Sequence, residues 1–139
     1  MKNLWCGDIV GGKGALALLA LRLVAGPAFI LHGWPKIQNA FGWLGPDVPS
    51  WLQALAAFAE FGGGIAMLAG VLTRLAALGI ACVMCYALFL VHIPKGDPFV
   101  GQGGSSWELA AVYLAIMIAL MLRGAGQFSL DALMCRKKK

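Results

Sequence analysis

The stretch "ALALLALRLVAGPAFILHG", Ala15 to Gly33, decides the fold. It carries one charge, Arg22, and one histidine, His32, and is otherwise apolar or small. A membrane-spanning helix needs ~20 consecutive, mostly apolar residues. A run of this length without polar alternation is too long for a buried strand. Pro27 predicts a kink, which helices in lipid tolerate when neighbours satisfy the freed carbonyl. Gly33 and Pro35 predict the end of the helix.

Outward from this run, three more segments read the same way: 51–72, 75–93 and 107–122, the last extending past Arg123. The chain has 139 residues, 60% hydrophobic and 12% charged, with a mean hydropathy of +0.81. A soluble domain carries about a quarter charged residues, so too little polar surface exists for water and the solvent must be largely lipid. The expectation is an all-α integral membrane four-helix bundle, one domain over residues 1–139, with spans at 15–33, 51–72, 75–93 and 107–122.

Charge sets the orientation. Eight basic residues, Lys2, Lys13, Arg74, Arg123, Arg136 and Lys137 to Lys139, fall on the side of the termini, against Lys36 and Lys95 on the other. The positive-inside rule makes the bundle N-in/C-in, with a tight cytoplasmic turn at Thr73 and Arg74 and longer outer loops at 35–50 and 94–106. Trp34, Trp43, Trp51 and Trp107 then line the outer boundary, where indoles favour the head-group layer. The net charge of +5 belongs largely to the terminal "CRKKK", which suits anionic lipid rather than nucleic acid.

Ionised groups inside lipid cost ~2.5–3.5 kcal/mol each and face the bundle interior. These are Arg22 and Glu60. Arg22 lies ~15 Å below His32, and Glu60 ~13 Å below Trp51. The matched depths predict an Arg22–Glu60 ion pair. It reads either as a structural bridge, or as a carboxyl that moves a proton or anchors a polar head group.

Near the outer boundary stand His32, Lys36, Gln53, His92 and Glu108, with His92 and Glu108 the expected partners of His32. Each also reads alone as an interfacial anchor or helix cap. Gly62, Ala66 and Gly70 form a small-residue stripe, and Gly63 lies beside it, suiting close helix approach or a flat ring and isoprenoid tail. Cys82 and Cys85 read more readily as small apolar filler than as a redox dithiol, and Cys6 not as a lipid-anchor site. No metal site is expected, because the Cys pair and the histidines differ in depth.

Three stretches, "LRLVAGPAFILHGWPKI", "AEFGGGIAMLAGVLTRLAAL" and "GAGQFSLDAL", resemble the DoxX family of small four-span membrane proteins. The resemblance runs from Leu21 to Leu133 and covers Arg22, His32, Gly33, Lys36, Glu60, Gly63, Gly70, Arg74, Ser129 and Asp131. It implies a bacterial inner-membrane subunit associated with oxidoreductases, related proteins including a DoxD-type subunit linked to thiosulfate:quinone oxidoreduction. It assigns these residues no catalytic roles.

The expected function is a quinone-interacting subunit of a redox complex, with no covalently bound cofactor. Glu60, His92 and His32 would act on the quinone, and Arg22, His32, Lys36, Gln53, Gly63 and Glu108 would bind it. A periplasmic or membrane redox protein is the expected partner beside membrane lipids, and oligomers are left open. Two other readings stand: a non-catalytic scaffold or assembly factor for a periplasmic partner, and a small-molecule or lipid transporter.

Overall fold

Helices account for every regular element in the computed structural model, which describes residues 9–136. Lys2, Cys6 and Lys137 to Lys139, used above for orientation and cysteine chemistry, lie outside the described residues. Helix α1 runs Gly12–Gln38, α2 Ser50–Ala69, α3 Thr73–Lys95, α4 Glu108–Arg123 and α5 Leu130–Arg136. Helices α1, α2 and α3 are long and apolar enough to cross a membrane. Helix α4, at 16 residues, reaches ~24 Å, short of the ~30 Å hydrocarbon core.

The first helix does not stop at Gly33 or Pro35 but continues to Gln38. Pro35 lies in the last turn, where a missing N–H costs one bond and propagates no further. Gly33 is a contact rather than a terminator. A Cβ there would collide with the backbone of Phe61, so α1 and α2 touch main chain to main chain. At Gly64 a Cβ would meet the Ile30 backbone nitrogen at 2.7 Å. These contacts set the antiparallel register, opposing Gly33 to Phe61, Ile30 to Gly64 and Gly26 to Leu68.

The interior is built from Phe29, Met67, Ile80, Met84, Leu88, Met117 and Leu120. Phe29 also meets Tyr113 edge-on at 4.9 Å, tying α1 to α4. Leu23, Val24, Phe58, Leu90, Val112 and Leu122 point outward, as a lipid-facing surface requires. Lipid tails are as apolar as these side chains, so packing rather than burial from water must hold the helices together.

Two ends result. The turn end gathers residues 9–11, the 70–72 turn and 124–136: Gln127 N donates to Val10 O and Asp131 N to Gly70 O. The loop end holds the connections 39–49 and 96–107. Near the latter, α3 widens into π-helix over Ala87–His92.

Candidate functional site

At the turn end, Arg22 is 1% exposed, and its partner is not Glu60. Its Nε donates to Met67 O (2.8 Å), one terminal nitrogen to Ala125 O (3.1 Å) and Phe128 O (2.8 Å), the other to Leu68 O (3.1 Å). The expected Arg22–Glu60 pair is therefore corrected. Aligning helix ends at His32 and Trp51 misplaced the register, because the glycine contacts slide α1 along α2 until Arg22 faces the C-terminus of α2. The last carbonyls of a helix have no partner within it and carry its negative dipole end. A planar guanidinium fits such a fan of acceptors.

The same end is closed by a second set of contacts. Helix α2 ends in a Schellman motif, with Val71 N donating to Ala66 O (2.9 Å) and Gly70 N to Met67 O (3.2 Å). Gly70 has a φ of +71°, and a Cβ there would strike Arg22 and Ser129. Asp131 caps α3 from a distance: its carboxylate accepts from Leu72 N (2.8 Å) and Thr73 N (3.0 Å). Ser129 Oγ accepts from Ala132 N at 3.1 Å, the N-cap of α5. Thus Arg22, Gly70, Ser129 and Asp131 form one staple.

At the loop end, Glu60 (1% exposed) accepts from Lys36 Nζ at 2.6 Å on each carboxylate oxygen. Lys36 Nζ also stands 4.5 Å from the centroid of the Trp43 ring, and its side chain is 24% exposed. The pair is thus covered by an indole and reachable from the loop end through the lysine.

Gln53 makes the 39–49 loop possible. Buried at 2% exposure, its amide donates to Gly45 O and Val48 O and accepts from Leu44 N. Trp43 Nε1 donates to the Gln53 backbone carbonyl at 3.0 Å. The side chain of Gln53 is fully engaged in holding Trp43 and its loop in place.

His92 and His32 are not brought together. His32 is exposed beside Phe29, ring centroids 6.4 Å apart. His92 Nδ1 lies 2.7 Å from Asp97 Oδ2, which also accepts from Ser105 Oγ at 2.7 Å. These hydrogen bonds, from Ser105 first and then His92, hold the Asp97 carboxyl below its ordinary range. Glu108 is exposed in the first turn of α4, where it complements the dipole. Gly63 packs against the Ile80 side chain at the α2–α3 contact. Cys82 and Cys85 carry free thiols, and no group of three potential metal ligands occurs among the described residues.

Sequence reasoning missed Asp97, and it named Trp43, Ser129 and Asp131 without foreseeing the cation contact of the first or the capping by the other two. The separation of His92 from Asp97 across "IPKG" was a usable signal, because a helix stopping at Gly96 returns the next side chain onto its last turn. Nothing in the spacing pointed to Lys36 for Glu60, since Pro35 argued against the helix that delivers the lysine.

The profile of the DoxX family matches residues 17–93. An uncharacterized protein of Haemophilus influenzae is 33% identical, covering 82% of this chain and 87% of its own length. The "Inner membrane protein YqjF" of Escherichia coli is 30% identical over 88% of this chain and 95% of that protein. The Bacillus subtilis protein named "Putative oxidoreductase CatD" is 28% identical, over 89% and 91%. No solved structure shows a significant match. The segment matched contains both the α1–α2 glycine contacts and the Lys36–Glu60 pair, and with three long apolar helices the chain is a multi-pass bacterial inner-membrane protein that belongs to the DoxX family.

Proposed function

We propose that this protein is the membrane subunit of a redox complex and that it meets quinone near the outer face of the inner membrane. The observation carrying the reading is the Lys36–Glu60 pair: a carboxylate 1% exposed, joined by two 2.6 Å contacts to a lysine that is itself 24% exposed. A quinone that is reduced or oxidised exchanges protons, and a buried carboxylate connected to the membrane boundary through one flexible cation is a suitable exchanger. The oxidoreductase name of the Bacillus subtilis relative supports the redox part of the reading.

In this reading α4 completes a four-helix bundle, extended by the flanking residues and by local thinning of the bilayer. The termini are cytoplasmic, because Lys13, Arg74 and Arg123 lie at the turn end and Lys36 and Lys95 at the loop end. The loops 39–49 and 96–107 then face a periplasmic or membrane redox partner.

The test is mass spectrometry of lipids that co-purify with the solubilised protein, wild type beside the double variant Lys36→Met, Glu60→Gln. Stoichiometric quinone in the wild type, lost from a variant that still folds, is the expected result. Quinone absent from the wild type overturns the reading. Quinone retained by the double variant removes the pair from the site. A scaffold reading draws on a different observation, the buried Arg22 guanidinium, whose hydrogen bonds among the described residues all go to backbone carbonyls. It expects the double variant to keep full function in the cell.

A further inference from the structure

The turn end also holds a recess of about 470 Å3. Arg74 from the start of α3 lines it, with Leu122 and Arg123 from the end of α4 and Ile9, Val10 and Gly11 leading into α1. These walls are tied to one another. Gln127 N donates to Val10 O, and a Cβ at Gly124 would lie 3.4 Å from Arg74 Nε. The recess is therefore a junction of three helix ends rather than a crease along one helix.

Both ionisable side chains in its lining are arginines. Arg123, in the last turn of α4, complements the dipole of its helix. Arg74 does the reverse. It is the second residue of α3, in a first turn without an acidic side chain, where the dipole is positive and a cation is disfavoured. Gly11, the N-cap of α1, brings a second positive terminus to the recess, with no acidic residue in its first turn and Lys13 present there. Among the described residues the carboxylate at this end is Asp131, already accepting from Leu72 N and Thr73 N. Charge of one sign gathered from two guanidiniums and the backbone attracts an anion. Arg74 has an interaction of its own, and the five N–H donors of a guanidinium allow a further partner beside it. The rim is apolar: Ile9 and Leu122 flank the arginines and are exposed, which suits an anion that carries a hydrocarbon chain.

We propose that this recess binds a phosphate group between Arg74 and Arg123, and that an anionic phospholipid head group supplies it. Guanidinium groups bond phosphate oxygens two at a time, and basic pockets between helices at a membrane boundary take such head groups. Bound there, the lipid joins the ends of α1, α3 and α4 beside the Arg22 contacts. The site is independent of the quinone reading, which concerns the opposite end of the bundle.

The experiment uses the full chain, delipidated in a neutral detergent, with native mass spectrometry counting bound lipid and thermal unfolding reporting its effect. Phosphatidylglycerol is the probe and phosphatidylcholine the net-neutral control. Inorganic phosphate, set against sodium chloride of equal ionic strength, is the probe without a chain. The expected result is one phosphatidylglycerol per chain, held about tenfold or more above phosphatidylcholine, with a raised melting temperature. Arg123→Gln, at an exposed position, is expected to weaken phosphatidylglycerol about tenfold, the size of one lost charge-assisted contact, with no change in the melting temperature of the lipid-free protein. Arg74→Gln is expected to act in the same direction, and Arg123→Gln alone decides if Arg74→Gln does not fold. Lys95→Gln, at the loop end, is expected to change nothing. Equal phosphatidylglycerol affinity in wild type and Arg123→Gln overturns the site, as does an equal loss in Lys95→Gln or equal binding of the two lipids. Stabilisation by inorganic phosphate as large as that by phosphatidylglycerol upholds the phosphate site and overturns the lipid as its source. A wild type that takes up neither overturns the proposal, and binding gained by Asp8→Asn in that case gives the anion's place to this chain's own carboxylate.

Discussion

At the turn end a buried cation gives its hydrogen bonds, among the described residues, to backbone carbonyls; at the loop end a buried carboxylate is met by another side chain. Arg22 donates to four carbonyls from two segments far apart in sequence, and none of those acceptors can change protonation or swing away. Glu60 is held by Lys36, whose long stem can move and whose head reaches the bundle surface. The first arrangement suits permanence. The second keeps a carboxylate inside lipid with a route outward, which is why the proposed proton exchange is assigned to it and not to Arg22.

The largest expected effect breaks the permanent end. Arg22→Met strands four carbonyls inside the bundle, and each buried acceptor left unsatisfied costs ~1–3 kcal/mol. Loss of the monodisperse peak on size exclusion, at an expression level where the wild type is folded, is the expected reading. If Arg22→Met purifies and melts like wild type, the staple is not what holds this end.

Gly70→Ala should act next, by ~1–3 kcal/mol, because its φ of +71° disfavours a side chain and the added methyl meets Arg22 and Ser129. Thermal unfolding in detergent measures it. A change as small as that from a substitution at exposed Gly62 would separate Gly70 from the Arg22 staple.

The smallest effect sharpens the loop end. Asp97 is held below its ordinary value of 3.8 by hydrogen bonds from Ser105 and His92. A carboxyl with a depressed folded pKa stabilises the fold above its unfolded value and loses that contribution as pH falls through the folded one. The 96–107 loop should therefore loosen only below about pH 4. Amide exchange at Trp107 and Glu108, which donate to Pro98 O and Phe99 O, would register it. Loosening that sets in well above that range would separate the loop's stability from Asp97.

Much of the architecture was legible before any coordinates. The apolar runs foretold α1, α2 and α3, and boundaries moved only where a local rule met a tertiary contact. Gly33 and Pro35 looked like a stop, yet the Phe61 backbone needed the space at Gly33 and the helix ran on to deliver Lys36. That extension explains the main correction. Arg22 and Glu60 were rightly singled out as buried charges but wrongly joined, because depth was counted from aromatic and histidine boundaries rather than from the glycine contacts.

By itself the sequence determined that this is a helical membrane protein and which residues carry charge into lipid. Those are properties of composition and of periods along one chain, and the energy of placing a charge or an apolar run in lipid depends on them directly. Tertiary structure alone decided the partners: Lys36 for Glu60, backbone carbonyls for Arg22 and the 70–72 turn for Asp131. Partner choice depends on the register between helices, and here that register is set by close backbone contact at Gly33 and Gly64, a fit of two surfaces that no single segment contains.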